Sequence, residues 1–312
     1  MSRQLSKNLT TLLRIVFLSL LSNSAMAYLL YEGNPKWGDA SLGSGAVVTW
    51  SLIPDGTDVL RTADLAALPP GTNEFLLQEF WSGPSNLTSI YTQLDSDPLV
   101  GKTLFRSALT NAFATWSAIT NLSFVEVVDT GLQLAHPDAA GANAGDIRLG
   151  AFPLLSPFDC CAAFGFEPLG GTNFRTSYNP TTTGDVSLNS LAFFSAYSDL
   201  QEGDAYSGFP NDIQNLLIHE IGHALGLEHP EANGLTVGEE LAIMYVGVGC
   251  CDNIQRTLAL DDIAGIQALY GVRPVPVPAA FWLFGSALLG LVSFSKRNAS
   301  GVSGLLERTP AS

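Results

Sequence analysis

The eleven residues from His219 to His229, H-E-I-G-H-A-L-G-L-E-H, constrain this chain more than any other feature. On a helix, side chains four positions apart stack on one face, so His219 and His223 offer two imidazoles to a single point. That pairing is a zinc-binding pattern. Glu220 sits one position round the helix, where a carboxylate is better placed to work on a metal-activated water than to be a further ligand. Gly226 follows. Lacking a Cβ, it takes a left-handed turn at little cost and ends the helix. The reversed chain then carries His229 back as a third ligand and leaves one tetrahedral position open. An open position marks a catalytic zinc site rather than a structural one. The chain has four histidines and three lie in this run, which is more than satisfied core histidines explain.

The flanking residues support a helix there. Gly208-Phe209-Pro210 breaks the chain, and Asn211 or Asp212 can then cap the start. Ile213, Leu216, Leu217, Ile221, Ala224 and Leu225 recur at helical spacing and predict the buried face. His219 and His223 project to one side of that stripe, toward a cleft.

Upstream, Ala46 to Ile53 is β-branched and apolar enough for a buried strand. Residues 54–98 are rich in Pro, Gly, Ser and Asp and read as an excursion with one apolar segment, Phe75 to Trp81. Leu104, Leu109, Phe113, Trp116 and Ile119 repeat with helical period, and Leu122 to Val128 alternates as a strand does. Asp146–Leu149 and Asp185–Leu188 are two further short strands. Helix and strand alternate, so the expected architecture is an open mixed sheet with helices packed on it. Leu260 to Gly271 reads as a closing helix, capped by Asp261 or Asp262 and stopped by Gly271. No internal repeat or linker divides residues 28–272.

Both chain ends read as targeting segments. Arg3, Lys7 and Arg14 precede an apolar run, Ile15 to Leu21, and Ala25-Met26-Ala27 offers small residues for cleavage after Ala27. Residues 1–27 are therefore expected to be a secretory leader. At the other end, Pro274, Pro276 and Pro278 lead into an apolar stretch, Val277 to Phe294, closed by Lys296 and Arg297. The stretch VPVPAAFWLFGSALLGLVSFSKR resembles a PEP-CTERM sorting signal over residues 273–297, followed by a short tail, 298–312. That resemblance implies transient membrane anchoring and an exosortase of a Gram-negative bacterium that releases the protein. A plain single-span anchor is the other reading.

Acidic residues outnumber basic ones 29 to 14, and the net charge of −15 argues against nucleic-acid partners. The cysteines form two adjacent pairs, Cys160-Cys161 and Cys250-Cys251. In an exported protein an even count predicts disulfides, with three possible connectivities. Neighbour bonds are strained, which favours cross-links between the two loops, and a thiolate metal site is the alternative. His136, in His136-Pro137-Asp138, reads as a loop residue.

The chain resembles the matrixin-type metzincins, the metalloproteases that include the matrix metalloproteinases. The long zinc motif carries the resemblance, together with Ile243-Met244-Tyr245 as a methionine turn and Leu260–Gly271 as the closing helix. Phe113-Ala114-Thr115-Trp116 before Leu122-Ser123-Phe124 is similar to the family's first helix and second strand. It implies an α+β, zincin-like fold, a twisted mixed open sheet with an active-site helix and a C-terminal helix. It also implies one catalytic Zn²⁺ on His219, His223 and His229, with Glu220 catalytic and Met244 structural. Structural Ca²⁺ fits such a fold, but no residue here can be assigned to it. The implied activity is that of an exported zinc endopeptidase acting on protein or peptide substrates. A second class stays open: an exported surface or biofilm-matrix binding protein with a non-cleaving metzincin domain. Met244 stands fifteen positions after His229, so the loop beside the substrate pocket is expected to be enlarged.

Overall fold

The computed structural model describes residues 28–59, 81–134, 136, 138–139, 141–155, 161–168, 182–205, 209–230, 242–245 and 254–274. The expected leader, the segment 75–80, the enlarged loop 231–241, the C-terminal signal from residue 275, and Cys160, Cys250 and Cys251 lie outside them. Among the described residues, no helix is long and apolar enough to cross a membrane.

In chain order the elements are β1 (Leu29–Leu30), β2 (Ala46–Leu52), α1 (Leu87–Leu94), α2 (Pro98–Ser117), β3 (Leu122–Glu126), β4 (Ile147–Phe152) and β5 (Ala163–Gly165). There follow β6 (Val186–Asn189), β7 (Phe194–Ser195), β8 (Asn211–Asp212), α3 (Ile213–Ala224), β9 (Leu227–Glu228) and α4 (Leu260–Tyr270). Five strands form the main sheet in the order β3-β2-β4-β6-β5. The first four are parallel, and β5 runs antiparallel along β6. Parallel strands need crossovers, and helices cover the sheet for that reason. The fold is the mixed α+β one the sequence predicts.

α2 shows how the sequence builds that cover. Asp97 caps it, accepting from the Leu99 N–H at 2.9 Å, and Pro98 opens the first turn with no N–H to satisfy. Phe105, Leu109, Ala112, Phe113 and Trp116 recur at helical spacing and are all buried. Phe113 stacks on Trp50 of β2 at 5.2 Å and meets Phe124 of β3 at 4.6 Å, which seats the helix on one end of the sheet. Trp116, fully buried, donates its indole N–H to the Ile218 carbonyl at 3.0 Å and so ties α2 to α3. Truncating such a tryptophan costs about 3–5 kcal/mol.

Three expectations need correction. The region 54–98 is not only an excursion, because it contains α1, capped by Asn86, with Leu87, Ile90 and Tyr91 buried at helical spacing. The strand from Ala46 is half-buried rather than buried, since Val47 is 67% exposed on the open face of the sheet. Neither Asp261 nor Asp262 occupies the N-cap position of α4, although Asp262 does cap the helix start. The N-cap is Ala259, and Asp262 acts from the first turn by accepting the Ala259 N–H at 2.9 Å.

Candidate metal centre

α3 starts where Asp212, its N-cap, accepts the Gln214 N–H at 3.0 Å. The same carboxylate takes a two-pronged ion pair from Arg256, at 2.8 and 3.1 Å, in a position with no exposure of the aspartate side chain. The helix ends at Leu225, and Gly226 adopts φ +107°, a left-handed conformation that only glycine takes easily. The chain then reverses through β9, which pairs antiparallel with β1. This sequence of cap, helix and turn is what brings His229 back beside His219 and His223.

The three imidazoles do converge. Their Nε2 atoms are 3.2 Å apart for His219–His223, 3.0 Å for His219–His229 and 2.8 Å for His223–His229. Among the described residues this is the one group of three or more metal-binding side chains. His219 Nδ1 lies 2.7 Å from the Ile243 carbonyl, and His223 Nδ1 lies 2.8 Å from the Leu227 carbonyl. A carbonyl only accepts, so both Nδ1 atoms carry the proton and both Nε2 atoms present bare lone pairs. Lone pairs facing one another at 3.2 Å repel unless a cation sits between them. A tetrahedral zinc with Zn–N bonds of about 2.0–2.1 Å spaces its ligand nitrogens ~3.3 Å apart, close to what is seen. Burial, and after it the neighbouring His229, pushes His219 down to about 4, which keeps it in the neutral, ligating form.

Glu220 is 5% exposed and lies beside β5. Burial raises its carboxyl to about 8, while a hydrogen bond from the Gly165 N–H works in the opposite direction. A divalent cation nearby would also draw it down. A Cβ on Gly165 would strike the Glu220 carbonyl and approach the His223 Cβ at 3.0 Å, so the bare glycine lets the strand run against the helix. β5 is the end strand of the main sheet, pairing with β6 alone among the described strands.

Met244, 3% exposed, occupies a turn closed by the Tyr245 N–H on the Ala242 carbonyl at 3.1 Å. Its sulfur lies directly beneath Gly222 of the histidine helix, next to Trp116. Asp262 of α4 holds this turn by accepting the Ile243 N–H at 2.8 Å and the Met244 N–H at 3.1 Å. Since Ile243 in turn accepts from His219, α4 reaches the metal centre through two hydrogen bonds.

Other sites lie apart from this centre. His136 is in the connection between β3 and β4, where its Nδ1 accepts the Asp138 N–H at 3.1 Å. Cys161 is half-buried just before β5, and its carbonyl accepts from the Asn189 amide at 2.9 Å. A cleft of about 700 Å³ opens between Asp55, Tyr91, Lys102, Arg106 and Glu126, and none of the three histidines lines it. Chemistry, not cavity size, picks out the functional site here. Sequence reasoning missed Gly165, the reach of Asp262 to the Met244 turn, the Arg256–Asp212 pair and Tyr31, whose hydroxyl touches His223. For Asp262 a signal was present, an acid in the first turn of a helix. The others depend on contacts between distant segments.

The matrixin family profile matches residues 171–271, a span that takes in the histidine helix, Met244 and α4. Metalloendoproteinase 1 of Glycine max is 28% identical over 170 residues, covering 54% of this chain and 47% of that protein. Matrix metalloproteinase-16 of Homo sapiens is 28% identical over 206 residues, 60% of this chain and 28% of its own length. Macrophage metalloelastase of Oryctolagus cuniculus is 30% identical over 175 residues, 55% and 31% respectively. The chain thus spans less than half the length of each of these relatives. Profile and relatives together support a matrixin-like metzincin of the metalloprotease class, and the histidine group fits a zinc site.

Proposed function

We propose that this chain is an exported zinc-dependent endopeptidase that hydrolyses peptide bonds in protein or peptide substrates. The observation that carries the reading is the meeting of three imidazole Nε2 atoms at the helix that carries a buried carboxylate, Glu220, at the edge of a sheet. His219, His223 and His229 would hold the ion. Bound there, zinc would polarise the scissile carbonyl and acidify a water toward neutral pH. Glu220 takes the proton of the attacking water and passes it to the amine nitrogen as the C–N bond breaks. Met244 supports the histidine helix from below and is not a ligand. An extended peptide can add to the outer edge of β5, whose main-chain groups would align it past Glu220. Export follows from the leader at 1–27. Sorting by an exosortase, through the signal at 273–297, completes the proposed route to the cell exterior.

The test uses purified full-length protein and a mixed peptide library. Wild type is expected to bind about one zinc per chain, and Glu220→Gln to keep that zinc while losing activity by on the order of 10²–10⁴-fold. Equal proteolysis by the variant would sink the mechanism. A zinc-loaded wild type that cleaves nothing would favour the binding-protein reading instead.

A further inference from the structure

The N-terminal strand reaches the metal centre. β1 pairs with β9 in the register Leu29↔Glu228 and Leu30↔Leu227, and the Tyr31 N–H extends the ladder to the Gly226 carbonyl at 3.3 Å. This pairing points the Tyr31 side chain, 4% exposed, at the back of His223. The two rings are 5.9 Å apart and tilted by 52°, and the Tyr31 hydroxyl lies 3.1 Å from His223 Nδ1. That nitrogen is also the one 2.8 Å from the Leu227 carbonyl. His223 thus has two oxygens on one Nδ1, whereas His219 Nδ1 is held by the Ile243 carbonyl.

The proton arrangement follows from what each group can do. Leu227 can only accept, so the proton sits on Nδ1 and is shared between the carbonyl and the tyrosine oxygen. Were the tyrosine to donate instead, the proton would move to Nε2. His223 would then have no lone pair for an ion, and its Nδ1 lone pair would face a carbonyl at 2.8 Å. The acceptor role is the consistent one. Acceptors on the far nitrogen of a metal-binding imidazole fix its ring plane and tautomer and raise its basicity.

We infer that Tyr31 is a positioning residue for the metal centre, its hydroxyl holding His223 in the ligating tautomer. The inference rests on reading His223 as a zinc ligand. It couples the N-terminal strand, 192 positions away in sequence, to metal affinity.

Tyr31→Phe removes the hydroxyl and keeps the ring. In the full-length protein, competition with a chromophoric chelator should show the zinc dissociation constant raised by about tenfold, typical for loss of such a partner. The zinc-free variant should melt at the wild-type temperature, because ring packing is retained. Tyr31→Ala should raise the dissociation constant as well and also lower the melting temperature, because it removes the ring with the hydroxyl. Two results overturn the inference. One is zinc affinity in Tyr31→Phe within about twofold of wild type. The other is a loss of affinity matched by an equal loss of stability in the zinc-free chain. Neither bears on the protease reading, which instead fails if wild type binds zinc and cuts nothing.

Discussion

Gly165 and Glu220 are in backbone contact. The strand amide donates to the glutamate carboxylate, and the space a Gly165 Cβ would need is filled by the Glu220 carbonyl and by the Cβ of His223 at 3.0 Å. Gly165→Ala must therefore push β5 off the histidine helix. The expected cost is about 1–3 kcal/mol in stability, with peptide hydrolysis reduced by on the order of 10²-fold as the strand edge and the carboxylate lose register. Gly83 is the control, since a Cβ there meets only Pro153 at an ordinary 3.4 Å. Gly83→Ala should be near silent in both urea unfolding and activity. Comparable activity of the two variants would remove β5 from the substrate site.

Met244 fills the space beneath Gly222 and Trp116. Met244→Leu conserves volume and should cost less than about 1.5 kcal/mol. Met244→Ala leaves a cavity and should cost about 2–5 kcal/mol. Both variants should retain zinc, measured by metal analysis after dialysis. Loss of zinc from the leucine variant would make the sulfur a ligand and refute the packing role.

The parts of this fold that were legible in the sequence are those with a local, repeating signal. α2 and α3 have apolar residues at helical spacing, and β2 and β3 are apolar enough, or alternate clearly enough, to stand out. The histidines were legible because helix geometry and one glycine turn suffice to bring them together. α1 was not, since its eight residues are embedded in a Pro-, Gly- and Ser-rich stretch whose composition outweighed a correct Leu87–Ile90–Tyr91 spacing. β5, at three residues, is too short to show any period. Ala259 as a cap was invisible for another reason: the capping oxygen belongs to Asp262, inside the helix. Tyr31 and Gly165 matter only through partners far along the chain, and no local pattern marks such residues.

Arg256 and Asp212 should be the most sensitive ion pair near the site. Asp212 is fully buried and also caps α3, so removing the arginine leaves an uncompensated charge at the start of the histidine helix. Arg256→Ala is expected to cost about 3–5 kcal/mol, and a second change, Asp212→Asn, to recover part of that by deleting the buried charge. Urea unfolding of the two variants measures both. A single-variant cost under about 0.5 kcal/mol, the range of exposed pairs, would show that the pair contributes little.

Asp185 predicts a pH dependence that is separate from the metal. Arg148, 1% exposed, grips Asp129 through Nε at 2.8 Å and Nη2 at 2.9 Å, and Asp185 accepts the Arg148 backbone N–H at 3.0 Å. One buried guanidinium thus faces two carboxyls. Burial, with Arg148 opposing it and Asp129 adding to it, pushes Asp185 up to about 8. Between its ordinary value near 3.8 and that value, the folded chain holds a proton that the unfolded chain has released. Stability must then fall as pH rises through that window, and be level below and above it. Asp185→Asn keeps an oxygen for the Arg148 N–H and cannot ionise. In zinc-free protein, wild type should lose stability relative to this variant between about pH 5 and pH 8. Taking the difference between the two chains cancels every other titration they share. A difference that stays constant across that range would mean Asp185 is ionised throughout, and that Arg148 balances both carboxylates.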